Sequence, residues 1–124
     1  MSKILVVDDS NSIRDMVSFT LKSAGYETVE AKDGQDGLSQ AKTNRFDLVI
    51  SDVNMPIMDG ITAAEKIREL SFPKNQVPIL ALTANAMMED KERCIKAGMN
   101  GFISKPIKLG RLIEELDEIL SSID

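Results

Sequence analysis

The sequence contains no histidine and no tryptophan, and its single cysteine is Cys94. Without histidine, the chain cannot build a serine-histidine or cysteine-histidine catalytic pair or a histidine-ligated zinc site, and it cannot itself carry a phosphohistidine. One cysteine cannot form an internal disulfide, which suits a reducing compartment. These absences leave carboxylates, hydroxyls and lysines as the side chains available for chemistry.

Excess positive charge and long apolar runs are also missing. The 15 lysine and arginine residues stand against 20 aspartate and glutamate residues, for a net charge of −5, so we expect no nucleic-acid partner. The first apolar run, residues 4–7, is too short for the core of a signal peptide, and no run approaches the length of a membrane span. We therefore expect no membrane segment and a cytoplasmic location.

The 124 residues fit one domain, 1–124, and 43% apolar residues are enough for an ordinary core. Short apolar runs alternate with stretches of helical spacing, and the runs are 4–7, 28–31, 48–50, 77 with 79–82, and 102–103. Most runs are continuous, which is typical of parallel strands covered on both faces, whereas the second alternates and predicts an edge strand. Strict alternation of strands and helices predicts a three-layer α/β fold.

The spacing of apolar residues defines the first and last helices most clearly. Apolar residues recur at helical spacing over 13–24, and Gly25 follows, where a left-handed residue commonly ends a helix. Leucine and isoleucine form one stripe over 109–123, with acidic residues elsewhere. Residues 71–78 predict a longer loop. Cys94 lies at helical spacing from the methionines at 87 and 88, and we interpret all of them as core packing.

Polar side chains follow four of the predicted strands. They are Asp8 and Asp9, Ser51 and Asp52, Thr83, and Ser104 and Lys105. In an open parallel sheet these strand ends share one edge, where ligands bind. Three converging carboxylates would repel one another unless a cation compensates, and oxygen-only ligands favour a hard ion such as Mg²⁺. A magnesium site that keeps several waters can accept phosphoryl oxygens, so the sequence predicts a magnesium and phosphate site.

Each residue of this set also has a simpler interpretation. The segment Asp8-Asp9-Ser10 could serve simply as the N-cap of the next helix, and Asp52 could be an ordinary turn residue. Thr83 could lie at a helix N-terminus instead of supplying a hydroxyl donor. Lys105 could be a solvated lysine instead of a positive charge for carboxylate or phosphate oxygens. The chemical interpretation is favoured because acids, a hydroxyl and a base are predicted at one edge.

Several short motifs lie in order at the ends of the predicted strands. They are residues 6–10 (Val-Val-Asp-Asp-Ser), 52–56 (Asp-Val-Asn-Met-Pro), 59–60 (Asp-Gly), 82–84 (Leu-Thr-Ala), 97–98 (Ala-Gly) and 105–106 (Lys-Pro). Together they span nearly the whole chain and resemble the receiver domains of bacterial two-component response regulators, in particular the CheY-like single-domain type. The resemblance implies a flavodoxin-like, doubly wound parallel sheet of five strands in the order 2-1-3-4-5.

The resemblance also implies a role for each site residue. Asp52 would accept a phosphoryl group, and Thr83 and Lys105 would hold its oxygens. The ligands of Mg²⁺ would be Asp8 (through a water), Asp9, Asp52 and the main-chain carbonyl of Asn54. The Lys105-Pro106 peptide bond would be cis. A sensor histidine kinase would donate the phosphoryl group, and the domain would not be an enzyme in the ordinary sense, because it would catalyse only its own phosphorylation and dephosphorylation.

For output, the resemblance implies that Thr83 moves toward the phosphoryl group and Phe102 fills the space it leaves; simple strand packing is the alternative for Phe102. The face made by the fourth helix, fifth strand and fifth helix would then change its affinity for a downstream protein. Residues 9–14 resemble chemotaxis members, whereas Asn85 and Ile107 resemble receivers of hybrid kinases. A flagellar motor switch and a phosphotransfer protein therefore both stay open as targets. We expect a monomer.

Other protein classes use similar residues. A phosphatase of the haloacid dehalogenase type needs an Asp-x-Asp motif after its first strand, but Asp8 and Asp9 are adjacent. The segment 52–54, Asp-Val-Asn, has the right spacing but carries an asparagine where the motif has its second aspartate. A flavodoxin-like protein needs a first loop rich in hydroxyls and glycine, whose N–H groups face the FMN phosphate. In this chain Asp8 and Asp9 would instead repel that phosphate unless a metal were present. A receiver domain that folds but is not phosphorylated is a further alternative.

Overall fold

The structure, a computed structural model, describes residues 2–53, 58–83 and 88–121. Its strands and helices are β1 (Lys3–Val7), α1 (Asn11–Ser23), β2 (Glu27–Ala31), α2 (Gly34–Thr43), β3 (Leu48–Asp52), α3 (Gly60–Arg68), β4 (Ile79–Thr83), α4 (Met88–Lys96), β5 (Gly101–Ser104) and α5 (Leu109–Ser121), with a 3₁₀ turn at Lys74–Gln76. Every strand pair is parallel, and the order is β2-β1-β3-β4-β5. This confirms the predicted fold and the edge position of β2. Within these ranges, none of the helices has both the length and the apolar character that a membrane crossing requires.

All five strands differ from the predicted runs, the first, second and fifth by a single residue at one or both ends and the third and fourth by two residues at one end. The third strand continues through Ser51 and Asp52, which pair with Ala81 and Leu82 of β4. The fourth strand begins at Ile79, so the prediction that Val77 belongs to it is wrong. The carbonyl of Val77 instead accepts a hydrogen bond from Arg68 Nη1 at 2.6 Å, and Pro78 has no N–H to donate to a ladder.

The sheet separates two apolar layers, because alternate residues of each strand point to opposite faces. The α1/α5 layer contains Ile4, Val6, Val17, Leu21, Leu48, Ile50, Leu80, Leu82, Ile103, Leu112 and Leu116. The α2–α4 layer contains Leu5, Val7, Ala31, Leu38, Ala41, Val49, Val53, Ala64, Ile67, Ile79, Ala81, Cys94, Ala97 and Met99. Burying a large aliphatic side chain contributes about 1.5–3 kcal/mol, so these layers hold the sheet and helices together. The predicted core position of Cys94 is confirmed.

Local signals set where the helices begin and end. Ser10, Asp33 and Asp59 are N-caps of α1, α2 and α3, and each side chain accepts a hydrogen bond from a backbone N–H of the first turn. Gly25 follows α1 with a φ of 96°, the left-handed conformation predicted for it. The caps at Ser10 and Asp59 fix the starts of α1 and α3, the helices that follow the acidic residues at the ends of β1 and β3.

Candidate functional site

Three carboxylates meet where β1 and β3 end. One oxygen from each of Asp8, Asp9 and Asp52 lies within 4.8 Å of the others. Asp8 is fully buried and Asp52 is 4% exposed, whereas Asp9 faces solvent. The structure therefore brings together the acids that were predicted to share this edge, with two buried and one open to solvent.

Most of the hydrogen-bonding capacity of Asp8 is satisfied locally. Its Oδ1 accepts from the backbone N–H of Ser10 at 2.8 Å, and its own N–H donates to the carbonyl of Ala31 at 3.2 Å. Its Oδ2, in contrast, has no hydrogen-bond partner in the described ranges. Ser10 caps α1, so the capping interpretation is correct for Ser10, yet Asp8 still directs a buried oxygen into the cluster.

Lys105 supplies a positive charge to this cluster. Its Nζ lies 3.2 Å from Asp52 Oδ1 and 3.6 Å from Asp8 Oδ2, and its side chain is 21% exposed. This geometry does not fit the alternative of a solvated lysine. The Lys105-Pro106 peptide bond is cis, as the resemblance implied. Three carboxylates and one ammonium leave net negative charge, which favours binding of a cation.

Hydroxyl groups lie at the same strand ends. Thr83, the last residue of β4, is 2% exposed, and its carbonyl accepts a hydrogen bond from the N–H of Lys105 at 2.7 Å. Ser51 is also buried, and its hydroxyl donates to the carbonyl of Asp52 at 3.1 Å. The ends of β1 and β3 and the loop after β5 therefore contribute side chains to one cluster, and the backbone of Lys105 ties that cluster to the end of β4.

The family can be decided from this arrangement together with the sequence comparison. Residues 4–117 match the family model described as "Response regulator receiver domain". The chain belongs to this family. The carboxylate pair after β1, the acid that ends β3 and the lysine after β5 all fall inside the matched range.

The relatives of this receiver domain include chemotaxis proteins and sensor histidine kinases. Over 122 residues it is 39% identical to the chemotaxis protein CheY-3 of Vibrio cholerae, covering 98% of this chain and 93% of that protein. Over 113 residues it is 42% identical to the sensor histidine kinase RcsC of Salmonella typhi, covering 91% of this chain. The chain spans only 12% of the length of that kinase.

Solved structures show the same likeness. The chemotaxis protein CheY4 of Vibrio cholerae has a TM-score of 0.90 and 42% identity, covering 96% of this chain and 98% of that one. The receiver domain of sensor histidine kinase PA1611 from Pseudomonas aeruginosa PAO1 has a TM-score of 0.89 and 34% identity, covering 97% and 98%. The latter structure has a magnesium ion coordinated in its active site cleft.

Phe102 occupies β5 on the side of the sheet that faces α4. Its ring is partly buried and packs against the α2–α4 layer. The ammonium of Lys91, in α4, lies 4.9 Å from the ring centroid, within the range of a cation–π contact. The packing alternative therefore describes the ring in this structure, and the switching role implied by the resemblance stays a prediction.

Some predicted residues lie outside the described ranges, and some described residues were missed. Asn54, Asn85 and the methionines at 55 and 87 fall outside, whereas Ile107 is described and packs against the α1/α5 layer. Sequence reasoning gave no role to Arg14, whose guanidinium binds the carbonyl of Asp8 at 2.7 Å. In the sequence, the only indication of such a role was the position of Arg14, a cation in the first turn of the helix that follows Asp8 and Asp9.

Proposed function

We propose that this receiver domain is a phosphorylation-activated switch in a two-component system, with Asp52 as the phosphoacceptor. The observation that carries the proposal is the position of Lys105 Nζ, 3.2 Å from Asp52 Oδ1 at an edge where two further carboxylates converge. Buried acids held beside a lysine and a buried threonine suit phosphoryl transfer, which depends mainly on positioning and charge neutralisation.

The acidic cluster fits Mg²⁺ on two grounds. Its donors are all carboxylate oxygens, and Asp8 Oδ2 is buried without a hydrogen-bond partner in the described ranges. Asp8, Asp9 and Asp52 would hold the ion, with the main-chain carbonyl of Asn54, which lies outside those ranges. When bound, Mg²⁺ supplies positive charge that offsets the negative charge of phosphoryl oxygens.

The chemical step is a transfer between two nucleophiles. A carboxylate oxygen of Asp52 attacks phosphorus and forms a P–O bond, while the P–N bond of a phosphohistidine donor breaks and its electron pair returns to the imidazole. Because this chain has no histidine, another protein, a sensor histidine kinase, supplies the donor. Lys105 pairs with a phosphoryl oxygen and the Thr83 hydroxyl donates to another. Hydrolysis of the aspartyl phosphate resets the switch, so the domain acts only on itself.

The output surface is the face formed by α4, β5 and α5. A surface cavity of about 410 Å³ opens there beside Phe102 and is lined by Ile103, Ser104, Lys105, Pro106, Lys108 and Arg111. Phosphorylation draws the Thr83 hydroxyl toward Asp52, and Phe102 shifts into the space that is vacated, which changes this surface. Phe102 has no hydroxyl to donate to a partner, so the ring contributes apolar contact alone.

The downstream partner belongs to one of two classes, because the relatives include both chemotaxis proteins and sensor histidine kinases. These classes are a flagellar motor switch and a phosphotransfer protein. We place the protein in the cytoplasm as a monomer, without nucleic-acid binding, in line with its acidic charge.

The test is intact-mass spectrometry after incubation with Mg²⁺ and acetyl phosphate. The wild-type chain gains a single phosphoryl group and Asp52→Asn gains none. The control is Asp47→Asn, which behaves as wild type, because Asp47 precedes β3 and accepts a hydrogen bond from the Lys3 N–H. Omitting Mg²⁺ abolishes the gain. An unmodified wild-type chain overturns the proposal, and sustained release of phosphate from monoesters indicates a phosphatase instead.

A further inference from the structure

The side chain of Arg14 joins three segments beside the acidic cluster. Its Nη1 donates to the carbonyl of Asp8 at 2.7 Å, its Nε to Glu30 Oε1 at 3.1 Å and its Nη2 to Asn11 Oδ1 at 2.5 Å. The side chain is 15% exposed although it is charged. We infer that Arg14 is a positioning residue for the metal ligands, an inference that rests on the proposed function.

The carbonyl that Arg14 binds belongs to the peptide group that joins Asp8 to Asp9. The orientation of that peptide plane places the Cα of Asp9 and, together with the φ angle of Asp9, sets the direction in which its side chain leaves the backbone. Asp9 is exposed and lies beyond the end of β1, so no strand ladder holds it. The hydrogen bond from Arg14 therefore acts on the acid of the cluster that lies furthest from a strand end.

Asp8 is oriented by the same set of contacts. Its N–H donates to the carbonyl of Ala31 and its Oδ1 accepts from the N–H of Ser10. The other two polar atoms of Asp8 are its carbonyl oxygen and Oδ2. Arg14 binds the carbonyl, which leaves only the buried Oδ2 directed toward Lys105 and the site. Without the guanidinium, the Asp8 carbonyl has no fixed hydrogen-bond donor, and the backbone between β1 and α1 can adopt more conformations.

Glu30 fixes Arg14 in turn. Glu30 lies on β2 opposite Val6 of β1, and its carboxylate accepts from the guanidinium Nε. The planar guanidinium can bind Glu30, Asn11 and the Asp8 carbonyl at once, whereas a lysine offers one ammonium and cannot reproduce this geometry. Arg14→Lys is therefore expected to preserve the charge but not the positioning.

The direction in which Mg²⁺ affinity changes when Arg14 is replaced distinguishes a positioning role from a purely electrostatic one. Arg14 is a cation close to a predicted cation site, so on Coulombic grounds alone Arg14→Gln strengthens Mg²⁺ binding. Loss of positioning weakens it instead, by about tenfold, as is usual when a residue that orients metal ligands is removed. Arg14→Lys keeps the charge and isolates the geometric part.

The experiment is calorimetric titration of Mg²⁺ into the folded full chain, for the wild type, Arg14→Gln, Arg14→Lys, Glu30→Gln and the double variant Arg14→Lys/Glu30→Gln. Arg68→Lys is the matched control, because Arg68 also donates to main-chain carbonyls, those of Gly98, Asn75 and Val77, far from the acids. We expect weaker binding in both Arg14 variants and unchanged binding in Arg68→Lys, even where the latter lowers the melting temperature. The double variant Arg14→Lys/Glu30→Gln loses no more than Arg14→Lys, because Glu30 acts through Arg14.

A metal-free readout tests the contact itself. The ¹³C carbonyl resonance of Asp8 is expected to shift in Arg14→Gln and Arg14→Lys without Mg²⁺, and to stay in place in Arg68→Lys. A shifted resonance with wild-type Mg²⁺ affinity, or stronger binding in Arg14→Gln, overturns the inference and leaves the proposed function intact. A wild-type chain with no saturable Mg²⁺ binding overturns the proposed function and the inference with it.

Discussion

Lys105 Nζ lies 3.2 Å from Asp52 Oδ1, and from the same position it lies 3.6 Å from Asp8 Oδ2. One ammonium thus compensates two buried carboxylates of the acidic cluster. A divalent ion held by the same acids would perform the same neutralisation, so the lysine and the proposed metal would act on the same negative charge.

We predict that Lys105→Met lowers the stability of the metal-free chain and strengthens its binding of Mg²⁺. Loss of the ammonium leaves the carboxylates uncompensated, and because Lys105 is partly exposed we expect a loss of about 1–2 kcal/mol, below the cost for a fully buried pair. Chemical denaturation with and without Mg²⁺ measures both effects. Lys108→Met, an exposed lysine in the same loop, serves as the control; equal stability of the two variants contradicts the prediction.

A second prediction concerns the exposed acid of the cluster. Asp9→Asn removes a charged ligand, so the stabilisation by Mg²⁺ should fall, by about 1.4 kcal/mol for each tenfold loss of affinity. Thermal unfolding over a series of Mg²⁺ concentrations measures this. Asp15→Asn, another exposed acid that lies on α1, keeps the wild-type response. An undiminished shift in Asp9→Asn shows that Asp9 is not a ligand.

Gly60 packs against the backbone of Asp52, which gives a third prediction. A Cβ at position 60 would lie 2.2 Å from the Asp52 carbonyl oxygen, so Gly60→Ala must displace the end of β3 or the start of α3. We expect it to lower the free energy of unfolding by about 1–3 kcal/mol and to slow phosphorylation. Gly110→Ala, which meets nothing within 4 Å, stabilises α5 by up to about 1 kcal/mol. Equal effects at the two positions would be inconsistent with this packing.

The fourth prediction concerns pH. Partial burial, together with the hydrogen bond and negative charge of Asp117, raises the pKa of Tyr26 above its usual value of 10.0. The unfolded chain therefore releases this proton at lower pH than the folded chain, and the free energy of unfolding decreases as the pH rises through about 10. Tyr26→Phe lacks this part of the decrease.

The spectroscopic test is clean because Tyr26 is the only tyrosine and the chain has no tryptophan. Tyrosinate absorbance is expected to rise at higher pH in the native chain than in the denatured chain. Asp117→Asn reduces the difference without abolishing it, since burial is its largest cause, and Glu118→Gln leaves it unchanged. Coincident native and denatured titrations would refute the contact.

The fold and the acid cluster were predictable from the sequence because both follow from short-range patterns. Continuous apolar runs placed the strands, and strand direction then placed Asp8, Asp52 and Lys105 at one edge. The strand order came from the family resemblance, since alternation alone allows several orders. The assignment of Val77 to a strand failed because a hydrogen bond from Arg68, nine positions away, competes for its carbonyl.

Arg14 was missed for a similar reason. Its partners are a main-chain carbonyl and a glutamate on β2, and neither leaves a signature in residue spacing. A charged residue early in an amphipathic helix normally faces solvent, so the pattern favoured the wrong environment. Contacts made by long side chains to backbone atoms depend on tertiary geometry that composition and periodicity do not encode.

The two apolar layers share the strands but not their side chains: β1 gives Leu5 and Val7 to one and Ile4 and Val6 to the other. A change of volume on one face therefore reaches the opposite face only by displacing hydrogen-bonded strand backbone. Phe102 packs on the α2–α4 side. A substitution under α4 can therefore alter the surroundings of Phe102 while the packing of α1 and α5 on the other face is kept.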